Sequence, residues 1–479
     1  MSNQTHKILV FMSDNRLLNN NKETSVYSSL VASINKTYCD KYNYDFIYYV
    51  PYYRNQNDNN VNMCIDPNSE NLRHASWAKL LSALESMKKS YDYVLYIDSD
   101  CCFSNMDISI ESIIENYKNN DIIFYSNNPW HPSLPCGGFF ICKNNIDTQN
   151  FIRYWFNYKN PTHTSNEWKL VKKKAQKETS YDWNIGKHWE QDTLFVIYVL
   201  EYLKFDDYKP SIESKLIFEK ISIGLINEKW FEESPNQFLR HVCSTNSNTD
   251  RTKYFKSKVD LLENMINKSY QNIINDINVI KFDIVNYDNL IMTFDTRKDM
   301  LLFYSKQLTK PVIAEIGIFK GDFLKFLYEN CNASKINAID LFQGTTPSGN
   351  EDGNFLTYYD MNKSYNELKE KYKDTIVTLH KSDSSTFLNT LNDNYYDIIY
   401  IDGDHSYNGV KKDLIASYNK IKNNGYIMGH DYEMNMKKAN HHYEFGTKQA
   451  VDEFCVNYNQ KILAKAYDGC VSFCIKINK

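Results

Sequence analysis

Two stretches of the chain place carboxylates, histidines and glycines at spacings that can do chemistry. The first is Asp98-Ser99-Asp100, at the end of the apolar run YDYVLYID. Residues two apart on a strand face the same way, so Asp98 and Asp100 converge on one point. Unpaired, they repel; a hard divalent cation such as Mg2+ or Mn2+ removes that cost. An ion held there can bridge the diphosphate of a nucleotide-sugar and stabilise charge on the departing nucleotide. Taken alone, the pair more often marks a strand that ends in a solvated acidic turn. The second stretch, PVIAEIGIFKG at 311–321, runs from a strand into a glycine-containing turn and a helix. Gly317 and Gly321 permit close approach of a ligand to the backbone. Phe319 stands where a dinucleotide fingerprint requires glycine, which argues against NAD. The next strand, INAID, ends in Asp340, where a carboxylate can accept both hydroxyls of a ribose. Further polar clusters follow: Asp383 and Ser384 in LHKSDSSTF, Asp402 and His405 in IDGDHSY, and His430 and Asp431 in GYIMGHDY.

The elements that must position these residues are legible as alternating patterns. From Lys7 to about Ser244, β-type runs (KILVFM, YDFIYYV, DYVLYID, NDIIFYS, GGFFICK) alternate with helical periodicity such as Ser76–Lys89. A second alternation opens at Pro311 with PVIAEIG and continues through INAIDLF, IVTLHKS, DIIYIDG and GYIMGHD to VSFCIKI. Strands separated by helix-length segments indicate parallel sheets covered on both faces. The expected fold is therefore α/β with two domains, 1–255 and 291–479. They are joined by a helical connector at 256–290 that begins after the polar segment STNSNTDRTK. The strand-rich VIKFDIV suits either side.

The motifs before residue 244 recur together and in order. KTYCDKYNY at 36–44, HASWAKL at 74–80, LPCGGFFICKNN at 134–145, WEQDTL at 189–194 and FLRHVCS at 238–244 surround the Asp-Ser-Asp strand. This order resembles the glycosyltransferase family of plant xyloglucan xylosyltransferases and fungal mannan galactosyltransferases, whose nucleotide-sugar-binding α/β domain is of the GT-A type. The resemblance implies a retaining transfer of a hexose or pentose from a UDP- or GDP-sugar to a glycan acceptor, with Mn2+ or Mg2+. It implies that Asp98 and Asp100 hold the metal and the ribose, with His241 as third protein ligand. By the same resemblance Lys79 meets the diphosphate, Gly137 and Gly138 let the backbone approach the sugar or acceptor, and Gln191 and Asp192 contact the sugar in transfer.

The motifs after residue 300 resemble the class I S-adenosylmethionine-dependent methyltransferases, a Rossmann-like fold, in the sugar and small-molecule O-methyltransferase branch with an IDGxHxY motif. That resemblance implies an S-adenosylmethionine site lined by Glu315, Gly317, Gly321, Asp340, Asp383 and Ser384. It further implies a metal centre, with Mg2+ on Asp402, His430 and Asp431, that orients two oxygens of a sugar diol. His405, beside it, is a candidate base, since a neutral imidazole near pH 7 can take a hydroxyl proton. His441-His442 reads as surface.

Composition sets limits. A net charge of −4 offers no basic field for nucleic acid. The longest apolar stretch, near Leu194–Leu200, is too short to span a bilayer. The N-terminal MSNQTHKILVFMS lacks the pattern of a signal peptide. Eleven cysteines without a CxxC pair favour reduced thiols and a cytoplasmic setting. Together these readings predict a bifunctional enzyme, glycosyltransferase then O-methyltransferase; the alternative is a methyltransferase carrying an inactive, glycan-binding N-terminal domain.

Overall fold

The apolar runs become strands buried on both faces, because helices cover each side of the sheets they join. A computed structural model describes residues 6–52, 64–65, 72–128, 131–159, 161, 165–176, 190–231, 237–242, 247–284, 291–349, 355–434 and 446–479. The chain divides into two compact units, Met1–Leu290 and Ile291–Lys479.

In the first unit, β1 (Ile8–Ser13) leads through α1 (Tyr27–Tyr42) to β2 (Asp45–Tyr52). The helix stops at Asn43, which takes the left-handed conformation that asparagine tolerates at a helix C-terminus. Then come α2 (Ala78–Met87), β3 (Tyr93–Ile97), β4 (Cys101–Phe103), β5 (Ile122–Asn127), β6 (His131–Lys143) and α3 (Ile146–Asn157). The unit continues with α4 (Glu190–Val196), β7 (Ile223–Ile226), β8 (Leu239–His241), α5 (Asn248–Ile266) and β9 (Asn278–Asp283). The main sheet has the order β9-β2-β1-β3-β6-β5-β7, with β6 antiparallel to both neighbours. Its core includes Val10, Leu95, Ile97, Phe139 and Ile141. Each such side chain contributes roughly 1.5–3 kcal/mol on burial.

The expected helical connector, 256–290, falls within the first unit. Phe255, Val259 and Leu262 bury α5 in the core of the first unit. VIKFDIV supplies β9, which pairs in parallel with β2 from Asn278↔Ile47 to Asp283↔Tyr52. The reason is physical: β2 has β1 on one side only, and its other edge would otherwise present a row of unpaired backbone groups.

The second unit contains β10 (Met292–Phe294), α6 (Arg297–Ser305), β11 (Val312–Ile316), α7 (Asp322–Asn330), β12 (Lys335–Asp340), α8 (Met361–Lys371), β13 (Val377–Lys381) and α9 (Ser384–Leu388). It ends with β14 (Tyr396–Ile401), α10 (Tyr407–Lys420), β15 (Ile421–Met434), α11 (Thr447–Asn457), β16 (Ile462–Asp468) and β17 (Cys470–Lys476). The sheet order is β10-β16-β17-β15-β14-β11-β12-β13, parallel except for β17. From β11 the chain first builds outward through β12 and β13, then crosses back to lay β14 against the other side of β11. Strand order reverses at that point, and open α/β sheets bind ligands in the crevice outside the carboxyl ends of such strands. Among the described residues, no helix is long and apolar enough to cross a membrane, and nine cysteines are free thiols.

Candidate active sites in the two units

In the first unit, β3 ends at Ile97 and delivers Asp98 and Asp100 into a turn. The Asp98 amide donates to the Gly138 carbonyl at 2.9 Å, so the LPCGG strand lies directly against the acidic turn. The ribbon of β4 with β8 then sets His241 opposite Cys101. His241 Nε2 lies 2.9 Å from Asp100 Oδ1. Ligand atoms of Asp98, Asp100 and His241 all lie within 4.8 Å of one another. The histidine ring is held between Trp230 and Phe231, each with its centroid 4.8 Å away. Burial opposes charge on His241, but the Asp100 carboxylate outweighs it and raises the imidazole well above its ordinary value. Two ligand atoms bound side by side on one small divalent ion at about 2.1 Å stand roughly 3 Å apart. One imidazole and two carboxylates within reach of one another are a donor set that fits a divalent metal, which would replace the His241–Asp100 hydrogen bond.

The two glycines pack closely against the residues of the site. A Cβ on Gly138 would stand 3.3 Å from His241 Cε1 and 3.6 Å from Asp98 Oδ2. A Cβ on Gly137 would stand 3.3 Å from Gln191 Oε1.

Two expected ligand contacts lie elsewhere. Lys79 is on the buried face of α2, 4% exposed, with its Nζ 2.7 Å from Glu190 Oε1, 3.7 Å from Asp98 Oδ2 and 3.1 Å from the Gly137 carbonyl. Burial works against its charge, and Asp98 and Glu190 outweigh it. It holds the acidic turn from behind rather than facing a diphosphate. Gln191 spends its side chain on backbone, accepting from the Gly137 amide at 2.5 Å and donating to the Pro135 carbonyl at 2.9 Å. Asp192 is buried in the first turn of α4. Trp189 and residues 243–246 lie outside the described residues.

Sequence reasoning missed two arginines. Arg251 Nη1 donates to Asp100 Oδ2 at 2.9 Å, and Arg16 Nη2 donates to Ser99 Oγ at 3.2 Å. Both stack on Tyr27, at 4.3 and 4.5 Å from its ring centroid. Nothing in their local sequence marks them, because Arg251 meets Asp100 across 151 residues.

In the second unit, a cleft of about 670 Å³ opens at the carboxyl ends of β11, β12 and β14. Glu315, Gly317, Asp340, Asp383, Ser384, Asp402 and His405 all line it. Gly317 has φ +87, and a Cβ there would stand 2.1 Å from the Asp402 carbonyl oxygen; glycine is required on both counts. Gly321, at φ +79, precedes α7, whose N-terminus no side chain caps. Phe319 also adopts a left-handed backbone, with φ +50, a conformation that costs a non-glycine residue roughly 1–2 kcal/mol. Asp340 helps to hold it: Oδ2 accepts from the Ile318 and Phe319 amides at 2.8 and 3.3 Å, and Oδ1 from the Phe342 amide at 2.7 Å.

Glu315 is 1% exposed, and its Oε2 has no hydrogen-bond partner. Burial and the nearby Asp402 carboxylate push its carboxyl well above the usual range, with Arg297 working the other way. An orphaned buried acid on a ligand cleft is what a cationic ligand group would satisfy. Asp383 caps α9, accepting from the Thr386 amide at 2.9 Å, and pairs with Lys412 at 2.9 Å. The Lys412 hydrogen bond holds its carboxyl well below the ordinary value. Ser384 Oγ donates to Asp413, whose carboxyl burial raises to about 6.

Beside the cleft, Asp431 joins two histidines: His405 Nδ1 at 3.2 Å from Oδ2 and His430 Nδ1 at 3.2 Å from Oδ1. Burial would raise the Asp431 carboxyl, but the His430 hydrogen bond and both imidazoles bring it down to about 2. Asp402 Oδ1 lies 3.7 Å from His430 Nδ1, and Arg297 Nη1 donates to Asp402 Oδ2 at 2.9 Å. Ligand atoms of Asp402, His405 and Asp431 lie within 4.8 Å of one another, as do those of His430, Asp431 and Cys470. His441 and His442 lie outside the described residues.

Residues 314–432 match the profile of a family described as a methyltransferase domain. The second unit carries a methyltransferase domain. Solved structures that align with parts of the chain include a glycosyltransferase involved in glycosylating the major capsid of PBCV-1, at 15% identity and TM-score 0.32, covering 52% of this chain and 98% of that one. An N-methyltransferase from Bradyrhizobium japonicum WM9 in complex with S-adenosyl-L-homocysteine aligns at 11% identity and TM-score 0.28, over 38% of this chain and 86% of that one. No curated protein matches the chain significantly.

Proposed function

We propose that the chain is a bifunctional transferase. Its first unit would move a hexose or pentose from a UDP- or GDP-sugar to a glycan acceptor, and its second unit would O-methylate a sugar hydroxyl with S-adenosylmethionine. The observation that most supports the first activity is the convergence of Asp98, Asp100 and His241. Asp98, Asp100 and His241 would hold Mn2+ or Mg2+, which when bound neutralises charge on a departing nucleoside diphosphate. Arg251, paired with Asp100, and Arg16, paired with Asp14, flank the same turn and would fix its carboxylates in place beside that leaving group. Lys79 keeps the turn in place by pairing Asp98 with Glu190.

In the second unit Gly317 lets a cofactor approach the backbone, and Glu315 offers a carboxylate to its ammonium group. S-adenosylmethionine, when bound, supplies the electrophilic methyl group. Asp402, His430 and Asp431 would hold a divalent ion that acidifies an attacking hydroxyl. Asp431 orients His405 through Nδ1, which suits that ring to take the hydroxyl proton.

The test is a screen of UDP- and GDP-sugars for hydrolysis and transfer by the full chain with Mn2+, repeated with labelled S-adenosylmethionine. Asp100→Ala and His241→Ala should lose sugar release and keep methyl transfer; Asp431→Asn should do the opposite. Sugar release that survives Asp100→Ala or excess EDTA would remove the first activity from the proposal. Nucleotide-independent glycan binding without sugar release would make the first unit a binding module.

A further inference from the structure

Consecutive residues on a strand normally point to opposite faces of the sheet. His430 and Asp431 break that rule on β15. Asp431 has φ +57, and the pairing of β15 with β17 shifts register between Gly429 and Glu433. The bulge turns both side chains into one pocket, where His430 Nδ1 and Asp431 Oδ1 are 3.2 Å apart. Cys470 opens β17 immediately after Gly469, which takes φ +105 in the turn from β16, and it pairs across the sheet with Met434. Its Sγ lies within 4.8 Å of the ligand atoms of His430 and Asp431. One imidazole, one carboxylate and one thiol thus meet at this site, and Arg297 takes one oxygen, Oδ2, of the neighbouring Asp402 carboxylate.

Mg2+ takes six oxygens and gives up water reluctantly, whereas imidazole and thiolate ligands suit borderline and softer ions. We infer that the metal centre of the second unit is built for a thiophilic transition-metal ion of the Zn2+, Fe2+ or Co2+ class, with Cys470 as a ligand beside His430 and Asp431. This rests on the proposed metal centre and changes its chemistry. Binding releases one proton to solvent as the Cys470 thiol becomes a thiolate. Such an ion remains a Lewis acid for a sugar hydroxyl but does not depend on millimolar Mg2+.

Cobalt reports the ligand directly. The full chain carrying Asp100→Ala, to silence the centre of the first unit, is stripped with chelator and titrated with Co2+. One ion per chain should bind, with a near-ultraviolet thiolate-to-cobalt charge-transfer band. Cys470→Ser should lose the band and bind cobalt about tenfold more weakly, because a hydroxyl replaces a thiolate. Mg2+ in about a thousandfold excess should leave the band in place. Cobalt bound without the band, a band untouched by Cys470→Ser, or displacement by Mg2+ each overturns the inference while leaving a metal centre. If cobalt uptake is absent, or identical in Asp431→Asn, the metal centre itself is refuted. Cys470→Ser that retains S-adenosylmethionine binding by calorimetry shows that the fold is intact.

Discussion

Replacing Glu315 with glutamine should stabilise the second unit and weaken its hold on S-adenosylmethionine. The carboxyl is 1% exposed, one oxygen lacks any partner, and burial together with Asp402 raises its pKa well above 4.5. A group whose pKa is raised by folding favours the folded state only while protonated. Its contribution is complete below pH 4.5 and is lost as pH rises toward the folded value. The resulting cost at pH 7 cannot exceed about 2.5 pH units at 1.36 kcal/mol each, or about 3 kcal/mol. Glu315→Gln removes that cost. Its advantage over the wild type should be small at pH 5 and grow as pH rises toward neutrality, staying within that cap. All seven tryptophans precede residue 231, so the second unit can be followed as the part of the far-ultraviolet urea transition that tryptophan emission does not share. Cofactor affinity should move the other way, by roughly 10–100-fold, the worth of one charge-assisted hydrogen bond. A variant no more stable than wild type at pH 7.5, or one whose advantage is the same at pH 5 and pH 8, would refute the reasoning.

Three further outcomes follow from the same structure. Lys79→Met leaves Glu190 and Asp98 without their shared cation, so the first unit should lose roughly 3–5 kcal/mol by tryptophan-monitored unfolding; a lysine that only met a ligand would leave stability unchanged. Gly317→Ala should abolish cofactor binding in calorimetry and cost the second unit at least about 3 kcal/mol, because its Cβ would meet the Asp402 carbonyl oxygen at 2.1 Å. A fragment ending at residue 255 should aggregate while one ending at residue 290 stays soluble in light scattering, since only the longer one supplies β9 to the open edge of β2.

The two α/β patterns were legible because buried strands and their helices are written in short-range periodicity. The Asp98–Asp100 pair and the glycines at 317 and 321 were legible for the same reason: the spacing of neighbours determines where they point. What local spacing could not carry was partnership across the chain. Lys79 reads as a solvated helical lysine until Glu190 arrives from 111 positions away. Gln191 reads as a ligand contact until the Gly137 amide claims its oxygen. Asp340 sits where a ribose acceptor was expected, and its oxygens also brace the turn that holds Phe319 in a glycine-like conformation. Arg251 and Cys470 carry no motif, and only the folded chain brings them to Asp100 and Asp431. VIKFDIV suits either side of the boundary in sequence, because an edge strand and a linker strand look alike until one asks which edge lacks a partner.

That edge also sets a schedule for synthesis. The strand β2 is complete once residue 52 has been made, but its second neighbour ends at residue 283. At typical elongation rates the ribosome needs roughly 10–50 s for the intervening stretch. Throughout that interval the nascent sheet shows an unsatisfied flank to the cell, and the closing pairing is of high sequence separation, the slow kind to form. The first unit therefore cannot finish folding from its own N-terminus outward. Its last strand acts as a latch, so early termination, slow codons or ribosome stalling before that strand has emerged would leave an aggregation-prone intermediate, whereas pauses late in the second unit would find the first able to close.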